Sequence, residues 1–438
     1  MKKKVAVVTV AEAEEAARVA DLPVEATVAL AEVAGAIKDG LLAFASATGL
    51  VVMFQMMQTE LTGRVGEKHA KIPVDERVGN WHGTTKGSVV LGGRTVTTER
   101  PRGRNTDGTE IELDTWKVFS SKDLLDSLVV ERMLAGVATR RHHDVAEPVG
   151  ADIEERARST SKSAISRRFV AATTKALGEL MARSLADLDV AVVMIDGLEV
   201  ASQCCVVALV ITADGTKVPV GLWLGDTENK TVVTALLADL VARGLSTDGG
   251  VLVIIDGAKA LAAGVKKVFG DAARVQRCTL HKRRNVAGHL PKDLAATVDR
   301  RLAVIFAQPN PDKGLDAAKR LATELEADHP DAAASLREGL DDMFSVRRLG
   351  VSGTLAKTLT NTNCIESMIS IARRTTGRVT RWKDGNMKKR WVAAGMLEAE
   401  RSFRRVRGHK DMGRLVSALR REIEMTARTT TKYDQAAA

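Results

Sequence analysis

Three β-prone runs that follow one another closely decide the fold of this 438-residue chain. They read DVAVVMIDG at 189–197, CCVVALVIT at 204–212 and KVPVGLWL at 217–224. The segment Ala213-Asp214-Gly215 between the second and third runs is typical of a tight turn. Because connections this short can join only antiparallel strands, the three runs predict an antiparallel meander.

The meander is followed by alternating helix and strand. A helical period covers 229–245, and the fully apolar run VLVII at 251–255 suits a buried parallel strand. A helix from about 258 then precedes a short strand around 274–278. The order β-β-β-α-β-α-β predicts a ribonuclease-H-like α/β fold, which is a mixed sheet with helices on both faces.

The rest of the chain divides by composition. Residues 1–60 are rich in alanine and predict helix, whereas glycines interrupt short β-prone runs at 80–115, where Gly92-Gly93 indicates a hairpin. We expect five regions: a helical region at 1–60, a small β-rich module or linker at 61–120, a helical region at 121–185, the core at 186–380 with a helical insertion at about 286–350, and a basic helical region at 381–438.

The 121–185 region has the layout of a helix-turn-helix. A helical period ends at a Pro- and Gly-containing break at 148–150, and SKSAISRRF at 161–169 can then start a helix that projects serine and arginine side chains. We therefore predict a DNA reader in which Arg167 and Arg168 contact DNA. The alternative is an ordinary helical hairpin with a solvated basic face.

Charge and composition favour a polyanionic partner. The formal net charge is +10, and nucleic acid is the commonest partner of so basic a chain, although a merely basic soluble protein remains the alternative. Four cysteines in this length do not form a disulfide framework and fit a reducing cytoplasm. Since the sequence shows no targeting or membrane-spanning segment, we expect a cytoplasmic, nucleoid-associated protein without a membrane partner.

Two aspartates occupy equivalent places in the predicted sheet. Asp196 and Asp256 each follow an apolar strand and precede a glycine, so neighbouring strands would bring both to one edge. A helix at 362–374 could add Glu366. Three carboxylates at one point repel each other unless cations share the site, and oxygen ligands suit magnesium or manganese. The alternative is that each Asp-Gly is a common turn and Glu366 a surface residue.

Four successive motifs resemble those of the Mutator-type transposases of bacterial insertion sequences. They are VVMIDGLEV at 192–200, VLVIIDGAKAL at 251–261, RVQRCTLHKRRNV at 274–286 and TNTNCIESMIS at 360–370, and the resemblance runs from roughly 80 to 415. It implies that the catalytic Asp-Asp-Glu (DDE) triad is Asp196, Asp256 and Glu366. It also implies that Cys278 and His281 form the family's C-x-x-H element near the active site.

The resemblance further implies a reaction and its partners. These are a pair of Mg²⁺ (or Mn²⁺) ions, double-stranded DNA bound at the terminal inverted repeats, and target DNA. Water would act as the first nucleophile and free a 3′-hydroxyl, which would then attack another phosphodiester. Bringing both ends of the mobile element together predicts a homodimer.

Basic residues lie close in sequence to the motifs that contain the predicted site residues. Between Ser367 and Lys410 there are thirteen lysines and arginines against three acids, interleaved with Trp382 and Trp391. Phosphate contacts and base stacking would suit DNA ends, whereas a solvated charge run and tryptophans in the core are the alternatives. The candidate DNA contacts here are Lys282, Arg283, Arg284, Arg373, Arg374, Arg378, Arg381, Lys388, Lys389 and Arg390.

Three other functions stay open at this level. Cys278 and His281 could be half of a zinc site, for which His289 is close but a full ligand set is missing. A structure-specific nuclease on the same fold would show the same acids but would not join strands. A non-catalytic DNA-binding regulator would need only the basic surfaces.

Overall fold

The computed structural model describes residues 41–437 apart from 71–72, 74–77, 92, 122, 143, 147–148 and 159–160. The described residues form two compact units that divide between Ala172 and Thr173. The helical prediction for 1–40 lies outside the described residues, whereas the following stretch forms helix α1, Leu41–Val65.

The N-terminal unit contains the predicted hairpin. Strands β1 and β2 are antiparallel, with Val89 opposite Val96 and Leu91 opposite Arg94 beside the tight turn. Met57 of α1 packs in the same core as Val89 and Val96. The elements of this unit are α1 (Leu41–Val65), β1 (Gly79–Leu91), β2 (Arg94–Asn105), α2 (Asp114–Ser120), α3 (Asp123–Leu134), α4 (Ala151–Arg156) and β3 (Ala157–Arg158), and helix α5 (Lys162–Ala182) crosses the boundary between the two units.

The two helices expected to form a helix-turn-helix are far apart in sequence. Helices α3 and α5 are separated by residues 135–161, which include α4 and β3. A helix-turn-helix joins its helices by a turn of about 3–4 residues. The connection is therefore longer than the predicted layout, and the helix-turn-helix stays a prediction.

The second unit is built on a five-stranded mixed sheet. Its strand order is β6-β5-β4-β7-β8, in which β4, β5 and β6 are antiparallel neighbours and β4, β7 and β8 run parallel. This confirms the predicted meander and the predicted order of elements. The strands are β4 (Val190–Val200), β5 (Gln203–Thr212), β6 (Lys217–Gly225), β7 (Val251–Ile255) and β8 (Ala273–Arg277).

Helices cover both faces of the sheet, as predicted. Alternate residues of β4 belong to different cores: Val193 packs in the same cluster as Leu236 of one helix layer, and Met194 packs in the same cluster as Met368 of the other. The first layer is α6 (Lys230–Ala242) and α7 (Lys259–Phe269), and the second includes α14 (Asn363–Thr376), α15 (Gly385–Glu400) and α16 (Met412–Ala437).

Between β8 and α14 the chain is helical, as predicted for 286–350. Leu302, Leu321 and Phe344 are fully buried in a separate core of this helical segment. Its helices are α8 (Thr279–Gly288), α9 (Lys292–Ala307), α10 (Pro311–Glu326), α11 (Pro330–Arg337), α12 (Ser345–Arg348) and α13 (Gly353–Leu359). Among the residues that the structure describes, no helix combines the length and apolar character needed to cross a bilayer.

Candidate active site

The parallel ladder between β4 and β7 places Asp196 beside Asp256. Met194 is the register partner of Ile254, and each aspartate comes two residues later. Because side chains alternate along a strand, Asp196 lies on the same face as Met194. Met194 and Ile254 pack in the core on the α14 side of the sheet. Both aspartates therefore belong to the edge that α14 covers.

Short backbone contacts hold the two carboxylates. Asp196 Oδ1 accepts the Gly197 N–H at 2.8 Å, and Asp256 Oδ1 accepts the Ala258 N–H at 2.9 Å. Burial raises the pKa of Asp196 to about 6, and the charge of Asp256 adds to this rise. The pair is thus close enough for its charges to oppose each other.

Helix α14 brings Glu366 to the same edge. Ile365 and Met368 anchor this helix in the sheet core, and Glu366 lies between them in its first turn. The Glu366 N–H donates to the Thr362 carbonyl at 2.9 Å. After burial and Asp256, Glu366 is one of the smaller influences that raise the pKa of Asp196. Asp196 thus lies within electrostatic range of both Asp256 and Glu366, but among the described residues the ligand atoms that come within 4.8 Å of one another are those of Cys278, His281 and Glu366. The shared metal site of the three acids stays a prediction.

Cys278 and His281 contact Glu366. Cys278 directly follows β8, and its N–H donates to the Ile255 carbonyl at the end of β7 at 2.8 Å. His281 Nδ1 lies 3.7 Å from Glu366 Oε1. Ligand atoms of Cys278, His281 and Glu366 all lie within 4.8 Å of one another. The expectation that this pair lies near the acids agrees with these distances.

Charge coupling within this group is strong. Hydrogen bonding with Cys278 raises the pKa of His281 to about 9, and Glu366 and Asp256 add to the rise. Burial would raise the pKa of Cys278, but hydrogen bonds with His281 and Thr362 lower it below its ordinary value. His281 is therefore cationic at neutral pH and stands next to the acidic cluster.

A further acid, Glu228, also belongs to this edge and was not found from the sequence. It lies between β6 and α6, and its Oε2 is 2.6 Å from the place where a Cβ on residue 197 would stand. Burial raises the pKa of Glu228 to about 7, and Asp256 and Asp196 contribute further. A side chain at 197 would displace this carboxylate from its present position. Glu228 comes shortly after β6, as Asp256 comes directly after β7, but this placement does not by itself distinguish a site residue from an ordinary loop acid.

The donor set fits hard divalent cations. Among the residues that the structure describes, no lysine or arginine forms an ion pair with Asp196, Asp256 or Glu228. Carboxylate oxygens without a cationic partner are the ligands that Mg²⁺ and Mn²⁺ take. The zinc alternative gains Glu366 as a third ligand type, but His289 is not part of the group and lines a separate surface depression with Arg284.

The predicted DNA contacts in the N-terminal unit differ in exposure. Arg167 is exposed on α5. Arg168 is partly buried, and its guanidinium forms an ion pair with Asp126 of α3 at 2.8 Å. Arg167 is thus the better candidate for a phosphate contact.

The basic residues that follow His281 also differ in exposure. Lys282 is 5% exposed, and its Nζ donates to the carbonyls of Ser335 at 2.5 Å and Glu338 at 2.8 Å. The predicted phosphate contact does not fit Lys282, because its ammonium is buried against the end of α11. Arg283 forms a two-bond ion pair with Asp299, whereas Arg284 is exposed.

The basic residues of α14, of α15 and of the connection between them also differ in exposure. Lys388 is 9% exposed and donates to the Ala201 carbonyl and Gln203 Oε1, so a phosphate contact does not fit it either. Lys389 and Arg390 are partly buried, and Arg390 donates to Thr173 Oγ1 at 3.0 Å. The exposed members of the predicted set are Arg373, Arg374, Arg378 and Arg381.

The two tryptophans pack in the protein. Trp391 is 6% exposed, and Trp382 packs against the sheet core on the α14 side. The core-packing alternative therefore describes both side chains better than base stacking does.

Comparison with known proteins defines the class to which this site belongs. Residues 24–405 match the family described as "Transposase, Mutator family", so the chain belongs to this family of transposases. The resemblance seen in the four motifs is confirmed at this level.

Individual relatives agree. The chain is 29% identical over 269 residues to the "Transposase for insertion sequence element IS256 in transposon Tn4001" of Staphylococcus aureus, which covers 58% of this chain and 64% of that protein. It is 25% identical over 292 residues to a "Probable transposase for insertion sequence element" of Corynebacterium diphtheriae, covering 65% and 83%. It is 24% identical over 332 residues to the "Transposase for insertion sequence element IS905" of Lactococcus lactis, covering 74% and 81%. The chain thus spans less than two thirds of the Staphylococcus protein.

Proposed function

We propose that this protein is a DNA transposase of an insertion sequence, which cuts DNA strands at the ends of the element and joins them to a target. The observation that carries the proposal is that Asp196 and Asp256 lie at the sheet edge covered by α14, the helix of Glu366, in a chain of the Mutator family. We also propose that the sheet is a ribonuclease-H-like core, since β4 is central and has one antiparallel and one parallel neighbour.

The proposed site takes two Mg²⁺ or Mn²⁺ ions, held by Asp196, Asp256 and Glu366. Support comes from the donor set, which consists of carboxylates that repel each other without a counter-charge. Such ions, when bound, stabilise the attacking and leaving oxygens of an in-line displacement at phosphorus.

The side chains of this site hold and orient the reacting groups. Backbone N–H groups fix one oxygen of each aspartate, and the His281 cation lies beside Glu366. In the first step a water oxygen bonds to phosphorus and the P–O3′ bond breaks, which leaves a 3′-hydroxyl and a 5′-phosphate. In the second step that 3′-hydroxyl oxygen bonds to a phosphorus of target DNA, and the former 3′ oxygen of the target leaves.

The proposed partners are double-stranded DNA, the terminal inverted repeats and target DNA. The exposed arginines Arg167, Arg373 and Arg374 are in a position to contact phosphates. A homodimer would bring two element ends together, and the 121–185 region would read the repeats through a helix-turn-helix. Nucleoid association follows from such DNA binding.

The test uses linear DNA that carries the sequences flanking the gene. With Mg²⁺, the wild-type protein should cleave the ends and join the 3′-hydroxyl product to a second DNA. Asp196→Asn, Asp256→Asn and Glu366→Gln should abolish both steps but leave DNA binding intact. Glu199→Gln is the matched control, because Glu199 is an exposed acid on the same strand as Asp196.

The alternatives give different results in the same assay. Cleavage without joining would identify a structure-specific nuclease. Binding without any cleavage by the wild-type protein would identify a regulator. Full cleavage by Asp256→Asn would show that the proposed site is wrong.

A further inference from the structure

Thr362 lies beneath Glu366 at the start of α14. Its side chain is fully buried, at 0% exposure, whereas the Glu366 side chain is 31% exposed. Thr362 Oγ1 donates a hydrogen bond to Glu366 Oε1. The same Oγ1 lies 3.3 Å from Cys278 Sγ and 3.4 Å from His281 Nδ1. One buried hydroxyl therefore contacts every member of the Cys278, His281 and Glu366 group.

The Thr362 hydroxyl does not cap helix α14. Thr362 is the N-cap residue of α14, where a threonine usually accepts an N–H of the first helical turn. It makes no such side-chain bond here. Asn361 Oδ1 instead accepts the Asn363 N–H at 3.0 Å. Since a cap of this kind stabilises a helix, its absence indicates that the hydroxyl serves another contact.

The chemistry of the group assigns the hydroxyl proton. A hydroxyl has a single proton and can accept further hydrogen bonds, whereas a carboxylate only accepts. The proton of Thr362 therefore goes to Glu366 Oε1, and the His281 Nδ1–H can donate to the hydroxyl oxygen. This arrangement fixes one oxygen of Glu366 from the buried side.

We infer that Thr362, supported by Cys278 and His281, is a positioning residue that fixes the Glu366 carboxylate for divalent-ion binding. The inference rests on the proposed function, since it assumes that Glu366 is a metal ligand. Groups that orient a ligand in this way commonly change metal affinity by about 10–100-fold when they are removed. The C-x-x-H element would then act on the ion through Thr362 and Glu366 rather than as a ligand pair.

The test compares three variants of the full chain. Thr362→Val keeps the shape but removes the hydroxyl, and Thr362→Ser keeps the hydroxyl. The matched control is Thr376→Val, because Thr376 is a buried threonine of the same helix whose Oγ1 donates to the Ala372 carbonyl at 2.9 Å. Mn²⁺ affinity is measured by paramagnetic resonance without DNA, and cleavage of the end DNA is measured across a Mg²⁺ titration.

We expect Thr362→Val to weaken Mn²⁺ binding by about 10-fold or more and to raise the Mg²⁺ concentration for half-maximal cleavage similarly. Thr362→Ser and Thr376→Val should stay near the wild-type values. If Thr362→Val does not fold, Thr362→Ala replaces it with the same expected loss.

Two outcomes would overturn the inference. One is a Thr362→Val variant that binds Mn²⁺ as tightly as the wild-type protein. The other is a Thr376→Val variant that loses as much Mn²⁺ affinity as Thr362→Val does. Failure of the proposed function looks different. Either the wild-type protein would not cleave the end DNA, or Asp196→Asn and Asp256→Asn would leave both Mn²⁺ binding and cleavage intact.

Discussion

Asp196 is unfavourable for folding when no cation is present. Its pKa is raised to about 6 in the folded protein from an ordinary value of 3.8, first by burial and then by Asp256. The folded state therefore binds the proton more tightly than the unfolded state does. Stability falls as the pH rises from about 4 to about 6 and stays low above that range.

We expect Asp196→Asn to be more stable than the wild-type protein in EDTA at pH 7.5, by about 3 kcal/mol. The difference should disappear near pH 4, where the aspartate is protonated. Thermal unfolding at both pH values checks this, with Glu199→Gln as the exposed control on the same strand. Equal melting temperatures of Asp196→Asn and wild type at pH 7.5 would contradict the prediction.

Divalent ions should act in the opposite direction and stabilise the wild-type protein relative to Asp196→Asn. A ligand that binds only the folded state raises the free energy of unfolding with the logarithm of the ratio of its concentration to its dissociation constant. We therefore expect millimolar Mg²⁺ to raise the melting temperature of the wild-type protein but not that of Asp196→Asn. A rise of the same size in both proteins would place Mg²⁺ binding away from Asp196.

Ionisation of Glu228 should also lower the stability of the folded protein as the pH rises, but over a higher pH range than ionisation of Asp196. Its pKa is raised to about 7 from 4.5, by burial first and then by Asp256 and Asp196. We expect Glu228→Gln to gain stability over the wild-type protein in EDTA as the pH rises from about 5 to about 7. Melting temperatures across this range check the prediction, and a constant difference at all pH values would contradict it.

The strands of the central sheet were predictable because each is an apolar run. The predicted end of β4 before Asp196 was wrong, because the strand continues through Asp196-Gly197 to Val200, paired with β5. The register between β4 and β7 then follows from the fold order, so the meeting of Asp196 and Asp256 was predictable too. Glu366 was not, because a helical segment with its own core separates it from β8. Its identification depended on the motif TNTNCIESMIS at 360–370.

Side chains whose role depends on distant packing could not be assigned from sequence. HKRRN at 281–285 has the pattern of a solvated basic run, yet the burial of Lys282 depends on α11, which comes about fifty residues later. The carboxylate of Glu228 lies where a Cβ on residue 197 would meet it, a contact between residues about thirty positions apart in the chain. Neither relation has a local signal in the sequence.

Helix α8 therefore carries two kinds of basic residue, and substitutions should separate them. Lys282→Met leaves two carbonyls at the end of α11 without a donor, so we expect a loss of about 2 kcal/mol and a lower melting temperature. Arg284→Gln, at an exposed site of the same helix, should keep the melting temperature and weaken DNA binding. Thermal unfolding and a DNA-binding titration check the pair. A wild-type melting temperature for Lys282→Met would contradict the packing role.

Only some of the positive charges of the molecule are exposed and able to contact DNA. The chain has a formal charge of +10, but Lys282, Lys388 and Arg283 use their charges within the protein. Arg373 and Arg374, at the end of α14, are exposed. DNA affinity should therefore depend on a small exposed set rather than on net charge.

Salt dependence measures this distinction. Each phosphate contact contributes about 0.9 to the slope of log affinity against log salt concentration. We expect the double variant Arg373→Gln/Arg374→Gln to reduce that slope by about 2. The control is Lys319→Gln/Arg320→Gln, which removes the same charge from consecutive exposed positions on α10. Fluorescence titrations between low and physiological salt give both slopes. An equal change in the two double variants would mean that long-range net charge, rather than contact at the end of α14, controls DNA binding.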